Sequence, residues 1–380
     1  MKRIGLALAA ALALSAFGCN HDPRDTRSLA TVDVDRSARP VFFNRWRHDL
    51  TNSSSEHGRQ EFATAAVSET GTRIFVGSRY GTFFALERGT GRVLWKVDLG
   101  SVSSEPLVHE GRLYIGTDDG SLVCLSTLDG TQKWRYATKG PILTVPVVSG
   151  EMVLFANEAD RVYALDRRSG KFRWQYKSET PDEYTLRGHA GVALGGDLVV
   201  SGFANGNLVA LRVSTGSVAW ITSLGGGGEK FIDVDSTPVV AGDTVYASSS
   251  AGGVFAVDAA TGRIKWRLPV NGAGPVTTDG QAIYFGAANE GVYAAELTGN
   301  IIWRQGADGG GEAAAPVIAG DYLFYSLSES GLFVADKHTG EVRQFFDPGF
   351  GVSATPAIDG GELYVVSNGA TLYAFGVRDF

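Results

Sequence analysis

The chain has 380 residues, 50 of them glycine and 2 cysteine, with 44% hydrophobic residues and a formal net charge of −7. This is a globular, mildly acidic composition with no run of five basic residues, which excludes the basic footprint of a nucleic-acid-binding protein. No segment reaches the roughly 18 to 20 apolar residues that a membrane-spanning helix requires.

Residues 1–18 combine Lys2 and Arg3, an apolar run over 4–14 and small residues ahead of Cys19, the pattern of a bacterial export signal. The ending Ala16-Phe17-Gly18-Cys19 resembles a lipobox, with Ala16 where leucine is usual. Cleavage there would leave an acylated Cys19, and several acyl chains, at about 0.8 kcal/mol per buried methylene, would anchor the protein to a membrane. A secreted protein cut elsewhere is the other reading. Residues 19–40 are polar and charged and read as a flexible tether. With Cys19 lipidated, Cys124 has no partner, so no disulfide framework is expected.

From residue 41 onward the chain repeats itself. VFFNRW (41–46) reads as a strand carrying Trp46. A glycine followed four residues later by tryptophan then recurs at Gly91/Trp95, Gly130/Trp134, Gly170/Trp174, Gly216/Trp220, Gly262/Trp266 and Gly299/Trp303, with tryptophan spacings of 39, 40, 46, 46 and 37. A seventh copy, TGEVRQ at 339–344, places Gln344 in the tryptophan slot. Residues 236–266 show the grammar of one unit: STPVV, a turn, TVYASSS, a turn, VFAVD, a turn AATG, then RIKW. Four short strands per roughly 40 residues, joined by glycine-rich turns, are the signature of a β-propeller.

The last glycine of each unit supplies the positive φ of a tight hairpin, and an aspartate just before it can bond the turn's backbone. Tryptophan on the outermost strand can wedge against the neighbouring blade. Cys124 falls in the third-strand slot held elsewhere by Ala85, Ala164, Ala210, Ala256, Ala294 and Ala374, a small buried filler. The C-terminal unit, 353–376, has three strands and lacks a fourth, leaving an edge that would invite aggregation. The N-terminal strand can supply it. The expected fold is all-β: an eight-bladed propeller of four-stranded antiparallel blades over 41–380, closed by pairing of the N-terminal strand with the C-terminal strands.

The two longest units owe their length to SETPDEYTLRGHA (178–190) and LGGGGEKFIDVDSTP (224–238), each joining the fourth strand of one blade to the first of the next. In an antiparallel blade these connections emerge on one face, so successive insertions should be neighbours and form one patch. Tyr184 and Leu186 offer apolar anchors, Arg187 a planar fork of donors, and Asp233 and Asp235 fixed acceptors, a set suited to a protein interface. Alternatively, the carboxylates cap a turn and pair with Arg187 inside the protein.

Catalytic signatures are weak. There is no vicinal cysteine pair; Asp118, Asp119, Glu158 and Asp160 fall in second-to-third strand turns, where polar residues are expected; the six histidines show no close pair with ligand spacing. The run Gly225 to Gly228 lacks the spacing of a phosphate loop.

The phrase at Ala256, Asp258, Thr261, Gly262 and Trp266 resembles the repeat of quinoprotein dehydrogenases that bind pyrroloquinoline quinone, a repeat shared with non-enzymatic relatives. The lipobox-like signal followed by eight such blades resembles the BamB family of the outer-membrane β-barrel assembly machine over essentially the whole mature chain. Leu186, Arg187 and Gly188, and Asp233, Val234, Asp235, Thr237 and Pro238, are similar to the two segments through which that family binds the periplasmic POTRA domains of BamA, with Tyr184 replacing a leucine. The resemblance implies a non-catalytic scaffold without cofactor or metal, lipid-anchored at the periplasmic face of the outer membrane and present as one copy within a hetero-complex. BamA would be its partner and unfolded outer-membrane proteins a second class of contact. A generic envelope propeller binding another protein or a polysaccharide is the alternative, and a quinone-dependent dehydrogenase a weaker one.

Overall fold

The computed structural model describes residues 39–51, 60–178, 190–225, 233–249, 251–288, 290–306 and 310–378. The export signal, Cys19 and the tether up to residue 38 lie outside them. Among the described residues the regular structure is 32 β-strands in eight antiparallel four-stranded sheets. Seven blades are contiguous in sequence: blade 1 spans 66–98, blade 2 107–137, blade 3 147–177, blade 4 192–223, blade 5 239–268, blade 6 273–305 and blade 7 317–346. Blade 8 takes Ala357–Asp359, Glu362–Val366 and Thr371–Val377 from the C-terminus and Phe42–Asp49 from the N-terminus, in register from Phe42 opposite Val377 to Asp49 opposite Thr371. The expected closure is present, with the closing strand running three residues past Trp46.

The middle strands are buried over continuous runs: Thr82–Glu87 (TFFALE), Ser121–Ser126 (SLVCLS) and Gly253–Asp258 (GVFAVD) each bury at least four successive residues. Both faces of each sheet are covered by neighbouring blades, so the simple apolar/polar alternation of a half-exposed sheet is missing there. Alternation survives on the outermost strands, where in Gln132–Ala137 (QKWRYA) only the tryptophan is fully buried.

Each tryptophan stands opposite the small residue of the adjacent strand: Trp95 opposite Ala85, Trp134 opposite Cys124, Trp174 opposite Ala164, Trp220 opposite Ala210, Trp266 opposite Ala256, Trp303 opposite Ala294 and Trp46 opposite Ala374. In blades 1 to 6 a β-bulge follows this pair on the way to the turn, which adds local twist and re-aims the ring; in blade 7 it follows Val334 opposite Gln344. The ring then covers the turn glycine of the next blade. Trp46 lies over Gly91 and Trp303 over Gly340, whose φ values are +71° and +75°; an added Cβ would come within 2.5 and 2.6 Å of the ring carbons. The indole N–H donates to a backbone carbonyl in that same blade, from Trp46 to Arg88 at 2.8 Å, Trp174 to Val213 at 2.8 Å, Trp266 to Leu297 at 2.8 Å and Trp303 to Lys337 at 2.9 Å.

Gln344 departs from this rule where the rule loses its target. Blade 8 has no hairpin between its third and outermost strands, because those strands are the two ends of the chain. Gln344 instead bonds the closing strand itself, accepting the N–H of Phe42 at 3.0 Å and donating to its carbonyl at 2.9 Å. The other side of blade 8 is clasped by Arg88 of blade 1, which donates to Glu362 at 2.5 Å and Asp359 at 2.6 Å and lies 3.0 Å from the Tyr364 hydroxyl, while Arg45 of the closing strand also pairs with Glu362.

Candidate partner-binding site

The two long connections leave blades 3 and 4 on the face that also carries the turns between second and third strands. Their described ends are tied to those turns. Leaving blade 3, Ser178 donates its N–H to the Asp160 carbonyl at 3.0 Å, and its hydroxyl accepts Asn205 Nδ2 at 3.0 Å. Asp160, itself buried, accepts the Ala204 N–H at 3.2 Å and so links the turn of blade 3 to that of blade 4. Leaving blade 4, Leu224 bonds the Gly206 carbonyl at 2.8 Å, and on the return Val234 bonds Phe203 at 3.2 Å.

Gly191, where the first connection re-enters blade 4, donates its N–H to Thr237 Oγ1 at 2.9 Å, where the second re-enters blade 5. The approach is close: a Cβ at Gly191 would stand 2.6 Å from that oxygen, and one at Gly202 would stand 2.4 Å from Val234. The roots of the two insertions are therefore neighbours. Asp233 is 3% exposed and Asp235 half-buried, and each has an interaction within the chain; Ser236 Oγ lies 3.5 Å from Asp235. Tyr184, Leu186 and Arg187 lie outside the described residues. The near-complete burial of Asp233 makes it a root residue that shapes the loop, whereas Asp235 stands nearer the surface.

Two carboxyls elsewhere in the ring have raised pKa values. Glu61 is 1% exposed and accepts the N–H groups of Ala63 and Arg79, each at 3.3 Å; burial nevertheless pushes its carboxyl up to about 6. Glu105, two residues before the innermost strand of blade 2, is exposed, and the protein crowding it raises its carboxyl above the ordinary value. Asp118 accepts the hydroxyls of Ser101 and Ser103, while its Oδ1 is buried without a hydrogen bond. Sequence reasoning placed Asp118 correctly in a turn and did not single out Glu61 or Glu105. Nothing in the local pattern marks Glu61, whose backbone N–H donates to Asn368 of blade 8, far away in sequence. Among the described residues no three His, Cys, Asp or Glu side chains are grouped so as to hold a metal ion.

Three overlapping matches, over residues 44–137, 101–305 and 289–379, align the chain with the family described as outer membrane protein assembly factor BamB. An outer membrane protein assembly factor BamB of Burkholderia pseudomallei is 27% identical, aligned over 100% of this chain and 99% of the relative. The crystal structure of BamB from Moraxella catarrhalis superposes with a TM-score of 0.76 at 22% identity, covering 88% of this chain and 100% of that one. A europium-containing methanol dehydrogenase superposes with a TM-score of 0.71 at 14% identity, covering 88% of this chain and 93% of that one. These two likenesses establish the ring alone, since propellers host unrelated activities.

Proposed function

The chain belongs to the family of outer membrane protein assembly factor BamB, and from that premise we propose that it acts without catalysis as a scaffold at the periplasmic face of the outer membrane, anchored through acylated Cys19. Its partner in this reading is the array of POTRA domains of BamA, which the patch built from 178–190 and 224–238 would hold in a usable orientation. The observation that carries the reading is the Gly191 to Thr237 bond, which brings the roots of both insertions together on a rigid ring. Interfaces of this kind place their binding energy in a few aromatic, arginine and desolvated polar side chains. Tyr184, Leu186, Arg187 and Asp235 would supply them, while Asp233 holds the loop from within.

The test is binding of the chain freed of its export signal to the POTRA domains from the same organism, with Arg187→Ala and a double Asp233→Ala, Asp235→Ala variant alongside. Binding by the parent and a loss of about 2 kcal/mol or more in variants that still fold is the expected result. A folded parent that does not bind would turn the reading toward a propeller serving another envelope protein or a polysaccharide.

A further inference from the structure

The turn between second and third strands repeats one arrangement in several blades. A residue at positive φ turns its carbonyl toward the chain leaving the blade: Gly81 accepts the Leu99 N–H at 3.0 Å, Gly120 that of Thr138 at 2.7 Å, Gly206 that of Leu224 at 2.8 Å and Ala370 that of Leu50 at 2.8 Å. Glycine takes this backbone freely, whereas a side chain makes it costly. Blade 3 places Asp160 in the slot, at φ +53°, and its carbonyl accepts the Ser178 N–H at 3.0 Å. A glycine would serve that bond equally well, so the main chain gives no reason for the aspartate. The side chain does. Asp160 is 6% exposed, and its Oδ1 accepts the Ala204 N–H of blade 4 at 3.2 Å.

That bond falls at the junction from which both long connections spring. The main chain of Asp160 holds the exit of 178–190. The turn its carboxylate reaches, 203–206, holds both ends of 224–238: Leu224 donates to the Gly206 carbonyl, and Val234 donates to the Phe203 carbonyl at 3.2 Å. Asn205 of the same turn donates to Ser178 Oγ at 3.0 Å. The Gly191 to Thr237 bond joins the two connections again where they re-enter their blades, so their roots are tied at two separate points. We propose that Asp160 is a positioning residue for partner binding, whose carboxylate fixes the two long connections relative to each other across the junction of blades 3 and 4. This rests on the assembly reading above and adds to it a buried residue that acts on the patch from within the ring. A patch built from two loops binds best when both are held before the partner arrives, because ordering them on binding consumes affinity.

The experiment compares Asp160→Gly and Asp160→Asn with the parent, each as the chain freed of its export signal, by binding to the POTRA domains of BamA and by hydrogen exchange of the Leu224 and Val234 amides. Glycine keeps the turn and removes the carboxylate; asparagine tolerates the left-handed backbone and restores an acceptor for Ala204. Asp160→Gly is expected to weaken POTRA binding about tenfold, as for a patch that must be ordered on binding. It is also expected to speed exchange of the two amides about tenfold, with the thermal midpoint within about 5 °C of the parent. Asp160→Asn is expected to restore both readouts to within about threefold of the parent. Parent-like binding or parent-like exchange in Asp160→Gly overturns the proposal. A glycine variant that unfolds or exchanges faster in all eight blades alike, or an asparagine variant that restores neither readout, assigns Asp160 to stability alone and overturns it as well. A parent that binds no POTRA domain sinks the scaffold reading alone, and the exchange rates then decide whether the carboxylate joins the two roots.

Discussion

At the scale of single residues, the repeated glycine and tryptophan act across blades. Gly130 and Trp134 are four apart in sequence, yet Gly130 lies under Trp95 of the previous blade, at φ +72° with ring carbons 2.8 Å from where a Cβ would stand. Gly150, at φ +55°, has nothing within 4 Å of that position. Gly150→Ala should therefore cost only the left-handed backbone term, about 1 to 2 kcal/mol, and Gly130→Ala that term plus overpacking, about 2 kcal/mol or more in total. Urea unfolding of the two variants separates them, and equal losses would refute the ring contact as the cause. Glu61 yields a pH dependence. Its carboxyl titrates near 6 in the folded protein against 4.5 for an ordinary glutamate, so the folded state binds the proton more tightly, and stability present below pH 4.5 is lost as pH rises through 6. The loss is up to about 2 kcal/mol. Glu61→Gln keeps an acceptor and removes the titration; its stability relative to the parent should rise between pH 4.5 and 7, and a flat difference across that range would contradict the assignment.

At the scale of elements, a blade is not self-sufficient. Its outermost strand is joined to the rest by a bulged hairpin, and its tryptophan finds a hydrogen bond and a packing surface in the next blade. The break at Gln344 follows from the same physics. A tryptophan there would have no turn glycine to cover, whereas an amide side chain can satisfy both the N–H and the carbonyl of Phe42. Gln344→Ala is expected to cost about 2 kcal/mol by stranding those two groups, and Gln344→Trp to lose as much; a more stable Gln344→Trp would mean that a tryptophan socket exists at this junction. The substitution was visible in the sequence, but its reason was not, because the partner is 302 residues away.

At the scale of the molecule, the ring holds only if blade 8 closes. Arg88 bridges blade 1 to Glu362 and Asp359, with the Arg88 and Glu362 side chains 15% and 13% exposed. Burial alone would raise the Glu362 carboxyl, but hydrogen bonds from Tyr364 and Arg88, with the charge of both arginines, hold it below its ordinary value. That contribution is present above pH 4.5 and is lost as pH falls through the lowered folded value. Arg88→Ala should cost about 2 to 3 kcal/mol at neutral pH, less in acid, and limited proteolysis should then release the N-terminal strand first. Cleavage beginning elsewhere in the ring would show that the clasp is not the weak point. The same closed ring is found in a methanol dehydrogenase and a BamB, so the ring by itself does not decide function.

The number of blades, the order of strands, the tryptophan and small-residue slots and the borrowed N-terminal strand were all legible in the sequence, because hairpins and repeats are encoded locally and each unit repeats the same solution. The long connections were legible as departures from the common length. Only the tertiary structure decided which glycine each tryptophan covers, why Gln344 replaces one, that Asp233 is buried while Asp235 is half-buried, and that Glu61 sits in a low-dielectric setting. Those properties arise where one blade meets another, and contact between blades depends on ring closure, a constraint that couples the two ends of the chain and has no local signature.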